Sequence, residues 1–312
     1  MCLVIWRLDK CNNTSAGGST ERYRLTVLSN RDEYLNRPVK EPHWWSTGIH
    51  ADAVSQAHSQ PGSEKEDDDV WAPLDMGHPT HGTWIGITKS GRFAFVTNVR
   101  GQHRPYDAPR QQSRGDLVKL FLLHQKNADT GKVMDVREYL EWAGRVYKDA
   151  DGFNLVCGNV VTAEMGYITN KGPLADGVRM LELDQTYVLS NADIDSSWWR
   201  MRRGRELFDN VVCRSQQDGE ECADEEKLFE LLRDTVPCST VIDYSSVDAI
   251  PVCLPPVDLP LGKYGTRTST VIQYSPDGEM KYTAKSVFLD TEPGLTAVAK
   301  EKSICKFKVL DK

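Results

Sequence analysis

Cys2 stands directly ahead of the apolar run LVIW, and a small residue at this position is compatible with removal of the initiator methionine. The mature chain would then carry a thiol and an α-amine on one carbon. A thiol near its free pKa is a few per cent thiolate at neutral pH, and an α-amine of pKa about 7.7 to 8.0 can take its proton without a histidine. With Met1 retained, Cys2 is a small hydrophobe of a strand. Four polar clusters carry the groups such a nucleophile needs: SNRDEYLNRP with Arg31 and Asp32, VTNVRG with Asn98, LSNADIDSSWW with Asn191, and YGTRTST with Arg267. Asparagine side chains donate to a developing oxyanion, and Arg31 or Arg267 favours a thiolate. A carboxylate such as Asp32 can hold the amine. Each cluster taken singly also reads as turn chemistry, because Asn and Asp favour turns and caps. Their joint occurrence is what points to a site.

All seven histidines lie between His43 and His124, outside these clusters. That counts against a Cys-His dyad, although folding could bring His43 or His103 near Cys2. No H-x-x-x-H pair supports a metal site, and no G-x-G-x-x-G, P-loop or G-x-S-x-G element supports a dinucleotide enzyme, an NTPase or an α/β-hydrolase. The eight cysteines, at 2, 11, 157, 213, 222, 238, 253 and 305, form no C-x-x-C pair, which suits reduced thiols.

The elements that must position the clusters follow from periodicity. CLVIWR and RYRLTVLSN predict two strands joined across the hairpin loop DKCNNTSAGGSTE. GTWIGITKSGRFAFVTNVRG predicts a strand, a Lys-Ser-Gly-Arg turn and a second strand ending at Asn98. SRGDLVKLFLLHQK and VMDVREYLEWAGRVY predict helices, the second with Val133, Val136, Leu140 and Ala143 on one face. GFNLVCGNV, EMGYITN and QTYVLSN predict strands, and SSWWRMRRGRELFDNVV and DEEKLFELLRDT predict helices, the latter with Asp224 as N-cap. Beyond the Pro-rich connection AIPVCLPPVDLP, the strands GTRTSTVIQY, EMKYTAKSVFL and SICKFKVL close the chain, the first two joined by a Ser-Pro-Asp-Gly turn. Strands, two helices, strands, two helices, strands: this order argues for an α+β fold of antiparallel sheets with helical layers rather than βαβ units. The polar clusters then fall at strand ends, gathered at one rim.

At 312 residues, with 39% hydrophobic and 27% charged residues, the chain has the content of one globular domain spanning 1–312. The acidic stretch SQPGSEKEDDD centres a flexible insertion expected at about 50–79. A net charge of −7 argues against nucleic-acid backbones and anionic membranes. No apolar run reaches the roughly 18 residues of a membrane span, and CLVIW is too short for a signal-peptide core, so the expected compartment is cytoplasmic.

The blocks MCLVIWRLD, RLTVLSNRDEYLNRP, HGTWIGITKSGRFAFVTN, GFNLVCGN, YVLSNADIDSSWWR and YGTRTSTVI resemble the motifs of the NRDE family, the transport and Golgi organisation protein 2 proteins, over nearly the whole chain. The resemblance implies an Ntn-hydrolase-like fold, a four-layer αββα sandwich with two antiparallel sheets, distantly related to penicillin V acylases and bile salt hydrolases. It sets Cys2 where those acylases have their nucleophile, Asn98 at the oxyanion position, and Asn191 and Arg267 at polar site positions. The acylases space an arginine and an aspartate three residues apart, whereas Arg31 and Asp32 are adjacent here, leaving Asn30 or Glu33 as candidates to replace one of them. The family is associated with Golgi organisation, protein secretion, haem trafficking and lipid or acyl-CoA homeostasis.

Three readings follow. In the first, a cytoplasmic protein, associated with Golgi or mitochondria, holds a small amphipathic ligand, haem or an acyl-CoA-like molecule, in an Ntn-type pocket; it requires no cofactor, and haem would be cargo. No Cys-Pro signature and no histidine in a cluster names an axial ligand for haem. In the second, an N-terminal cysteine amidohydrolase attacks an acyl amide or acyl thioester through Cys2, with Asn98 and Asn191 on the oxyanion. The third is a secretion factor with no ligand.

Overall fold

The computed structural model describes residues 2–11, 22–45, 69–100, 112–175, 177–217, 222–238, 250–288 and 302–310. The chain opens with β1 (Cys2–Cys11) and β2 (Arg22–Tyr34). It continues through β3 (Val39–Trp44), β4 (Val70–Asp75), β5 (Ile85–Thr88), β6 (Arg92–Asn98), the helices α1 (Arg114–Leu122) and α2 (Val136–Val146), β7 (Phe153–Asn159), β8 (Glu164–Thr169) and β9 (Arg179–Met180). Then come β10 (Tyr187–Leu189), α3 (Trp199–Gln217), α4 (Glu225–Leu232), β11 (Val257–Leu259), β12 (Gly262–Tyr274), β13 (Glu279–Ser286) and β14 (Lys302–Lys308). These elements divide into two compact units, Met1–Arg37 with Glu182–Lys308, and Pro38–Leu181 with Val309–Lys312. Among the described residues each unit is one antiparallel sheet with two helices, which is the α+β class the element order predicts. The loop 12–21 lies outside the described residues.

In the first unit the sheet runs β10-β1-β2-β12-β13-β14, with β11 added on β12. Directly opposed residues of antiparallel strands share a face, and neighbours along a strand alternate. The ladders therefore define rows. Leu3, Asn30, Ser269 and Lys285 form one row, and Ile5, Leu28, Val271 and Thr283 another. Leu3, Ile5, Leu28 and Val271 pack with Met201 and Phe208 of α3 and Leu228, Phe229 and Leu232 of α4, so these rows face the helices. Cys2, Arg31, Thr268 and Ser286 form the row next to that of Leu3, at the start of β1 and on the other face.

The RDEY residues are not the rim loop expected after the second strand RYRLTVLSN. They are the last third of β2, because both edges of that segment are paired, with β1 through Cys2↔Arg31 and with β12 through Asp32↔Thr266 and Arg31↔Thr268. TRTST lies inside β12, where the predicted strand GTRTSTVIQY puts it. The expected helix N-cap holds: the Asp224 carboxylate accepts from the Glu226 amide at 2.8 Å.

The second unit is a sheet ordered β3-β4-β5-β6-β7-β8-β9. Leu117, Phe121 and Leu122 of α1 and Val136, Tyr139, Leu140 and Ala143 of α2 bury against Ala72, Ala94, Leu155 and Ile168 of the sheet. Asp135 and Glu138 close a capping box at the start of α2. Val133, expected on the same face, precedes the helix; it bridges to Lys126 and is exposed. The predicted insertion also reached too far. Residues 50–68 of it lie outside the described residues, but Val70–Asp75 form β4, with Val70, Ala72, Pro73 and Leu74 buried. Its partner β3, not foreseen, holds Pro42 at the sheet's end, where a missing N–H costs no ladder bond. Gly82 of the HGTW block has a close backbone approach as its reason: a Cβ there would meet the Gly115 carbonyl carbon at 2.7 Å.

Candidate functional site

The polar groups of the first unit gather around the start of β1 and the end of β2, and β-pleating sorts them. On the face away from the helices, half-buried Cys2 lies opposite Arg31. The Arg31 guanidinium is buried and stands 3.9 Å from the Glu33 carboxylate, two residues on and on the same face. Glu33 also lies 3.8 Å from Arg37 and accepts from the Tyr34 amide at 2.8 Å. The Cys2 nitrogen donates to Asn191 Oδ1 at 2.9 Å, and Ser190 Oγ donates to the Cys2 carbonyl at 2.8 Å. Asn191 reaches this point because β10 pairs with β1, Val4 opposite Leu189, so the LSN block leaves the sheet beside the first residues of the chain.

Burial pushes the Cys2 thiol up from its usual value. The amino-terminal charge opposes this, Asp32 adds to it, Arg31 opposes it and Glu33 adds to it, in falling order. Desolvation outweighs the cations, so the expected help from Arg31 is present but is not the larger effect.

On the helix-covered face, Asp32 does not hold the amine as expected. Arg200 Nη1 donates to Asp32 Oδ2 at 2.8 Å, with both side chains fully buried, and Thr266 Oγ1 donates to Asp32 Oδ1 at 2.7 Å. Arg200 Nη2 also donates to the Val252 carbonyl at 3.0 Å. Asn30 is likewise absorbed by structure: its amide donates to the Leu232 and Val252 carbonyls at 2.8 and 3.0 Å and accepts from Ser269 Oγ at 2.6 Å. Arg267 is the extra residue of a β-bulge between Thr266 and Thr268, and its guanidinium donates to the Arg37 carbonyl. Asn98 ends β6, opposite Phe153, in the second unit.

Thus Cys2, Arg31, Glu33 and Asn191 come together, Asp32 and Asn30 serve the opposite face, and Arg267 is turned to a chain carbonyl. Sequence reasoning missed Arg200, Thr266 and the row mates Thr268 and Ser286. One signal for Arg200 is available. A cation in the first turn of a helix opposes the macrodipole, and the first turn of α3 has no acidic residue to offset it, so Arg200 must answer to something other than its helix.

Among the described residues no group of three or more metal-ligating side chains is present. No helix among them is long and apolar enough to cross a membrane.

The sequence profile of the family described as Transport and Golgi organisation 2 matches residues 1–288. The Transport and Golgi organization protein 2 homolog of Bos taurus is 27% identical over 298 residues, covering 94% of this chain and 95% of its own. Its Homo sapiens counterpart is 27% identical over 297 residues, covering 92% and 93%. Among solved structures, the C2A mutant of the conjugated bile acid hydrolase from Clostridium perfringens aligns over 99% of this chain and 97% of its own, at 10% identity and a TM-score of 0.36.

Proposed function

The chain belongs to the Transport and Golgi organisation 2 family, and on that premise we propose that it handles a small amphipathic acyl ligand, held against the Cys2–Arg31 face of the first unit, in support of Golgi organisation and secretion. The same reading takes this work to be cytoplasmic, at the Golgi or mitochondria. The observation that carries it is the pairing of a buried guanidinium with a half-buried thiol raised by burial. A guanidinium fork suits a carboxylate or phosphate head group, and a thiol held protonated is a poor nucleophile but an undemanding neighbour for an apolar chain. A haem propionate would meet the same guanidinium, so haem is the other ligand of this class.

A second reading, an N-terminal cysteine amidohydrolase, is favoured by the hydrogen bond from the Cys2 nitrogen to Asn191 Oδ1. Once Met1 is removed, that nitrogen is an amine already oriented. It would take the Sγ proton as the thiolate attacks the acyl carbon, return it to the departing amine as the tetrahedral adduct collapses, and leave a thioester for water to cleave.

The full-length protein separates the two. Intact mass establishes whether Met1 is retained. Equilibrium binding of a dansyl-labelled undecanoate, weakened in Arg31→Met without amine release from N-decanoylglycine, supports ligand handling. Release of glycine that disappears in Cys2→Ala supports the hydrolase. Neither binding nor release overturns both.

A further inference from the structure

We infer that the helix-covered side of the first unit carries a second binding site, for a small monocarboxylate with a flat apolar body. It is a cavity of about 220 Å³ bounded by Phe229 and Arg233 at the end of α4, Thr235, Cys253, and Lys285 and Phe288 at the end of β13. This is smaller than the roughly 300 to 1,000 Å³ that drug-sized ligands occupy, so the occupant is a compact molecule. The inference does not rest on the Cys2–Arg31 reading.

The charges define the head group. Asp234, the nearest acid in sequence to Arg233, is engaged by Arg203 at 2.7 Å. Arg233 itself has no acidic partner among the described residues. Lys285 is different: its ammonium bonds both Glu226 oxygens, at 2.7 and 3.0 Å, and covers the Phe229 ring at 3.9 Å from the centroid. It therefore serves as a neutralised wall. One uncommitted guanidinium remains, with five donors in a plane, and one carboxylate satisfies it. Phe229, Val287 and Phe288 supply the apolar surface for a ring or short chain.

The walls are tied together. The Cys253 amide donates to the Asp234 carbonyl at 2.8 Å, and the Leu254 amide donates to Thr266 Oγ1 at 2.7 Å, which fixes the 250–254 segment to both the α4 side and the sheet. A cavity held in this way loses little freedom when it is filled.

Isothermal titration of sodium benzoate into the full-length protein, with benzamide as the neutral counterpart, tests the site. Saturable benzoate binding is expected, stronger than that of benzamide. Because Arg233 is exposed, its charge-assisted bonds are screened, and Arg233→Gln is expected to weaken benzoate about tenfold. Thr235→Trp, a change at an exposed wall residue, should abolish binding by filling the mouth while the urea midpoint stays at the wild-type value. Cys2→Ser should bind benzoate as wild type does. Equal binding of benzamide, indifference to Arg233→Gln, loss in Cys2→Ser, or absence of saturable heat would each overturn the inference.

Discussion

Arg31 and Asp32, neighbours in the chain, point to opposite faces of the same strand: Arg31 stands across from Cys2, and Asp32 turns into a buried ion pair with Arg200. The adjacency that departs from the acylase spacing is thus a division of labour. The arginine belongs to the thiol's face, and the aspartate anchors α3 to the sheet.

The anchor should be costly to break from one side. Arg200→Leu leaves the Asp32 carboxylate buried without its cation and is expected to destabilise the protein by about 3 to 5 kcal/mol. Asp32→Asn strands the guanidinium and costs a comparable amount. The double variant Asp32→Asn/Arg200→Leu should cost clearly less than the sum, and urea denaturation of the four proteins measures the coupling.

On the thiol's face, Arg31 should reveal itself by charge. Arg31→Ala is expected to slow alkylation of Cys2 by anionic iodoacetate about threefold to tenfold more than alkylation by neutral iodoacetamide. Peptide mapping after limiting reagent gives both rates. Equal slowing would mean that the guanidinium only shapes the local packing.

The pH dependence of that labelling follows from burial. In protein retaining Met1, Cys2 alkylation should still be rising above pH 9.0, the usual thiol value from which burial displaces it upward. Protein lacking Met1 carries a cationic amine on the same carbon, and its midpoint should move down. A midpoint below 9.0 with Met1 intact would contradict the dominance of desolvation.

Cys253 offers a stability signature in the alkaline range. Burial, then Asp32, raise its thiol to about 11. Folded protein keeps the proton longer than unfolded chain, so this contribution is intact below about pH 9 and is lost as pH climbs from about 9 to about 11. Cys253→Ala should therefore flatten the fall of the urea midpoint across that window.

The HGTW glycine should tolerate no side chain. Gly82→Ala brings a methyl group to 2.7 Å from the Gly115 carbonyl carbon, which is backbone and cannot swing aside. A loss of about 1 to 3 kcal/mol is expected, read by thermal unfolding. Wild-type stability would show that the two segments can part without cost.

The helices and the closing strands are legible in the sequence because their apolar residues keep a strict 3.6 or 2 period, and Asp135 and Asp224 mark helix starts with side chains suited to capping. β3 and the NRDE segment are not legible for the opposite reason. Asn, Asp, Pro and Glu have low strand propensity, and only pairing on both sides of β2 overrides it. The candidate site was half legible: residue types around Cys2 suggested it, and Arg31, Glu33 and Asn191 do meet there. Which face each residue takes depends on register, and register arises between strands far apart in sequence, as with Thr268 of β12 opposite Arg31. Arg200 was hidden in the same way, since its partner lies 168 residues earlier.

The strands that end each sheet also bear on how the protein behaves at high concentration. β9 and β10 have only two and three residues, too little backbone to template a foreign strand. β3 interrupts its donors with Pro42 and a register shift between Lys40 and His43. β14, the longest of the four, presents exposed Lys302, Lys306 and Lys308 along its length, paired with Glu225, Glu279 and Asp277, so a second copy approaching it would have to desolvate these charged groups. Each terminal strand thus carries its own obstacle to edge-to-edge polymerisation, and substituting Lys302, Lys306 and Lys308 with threonine would remove the obstacle from the longest of them.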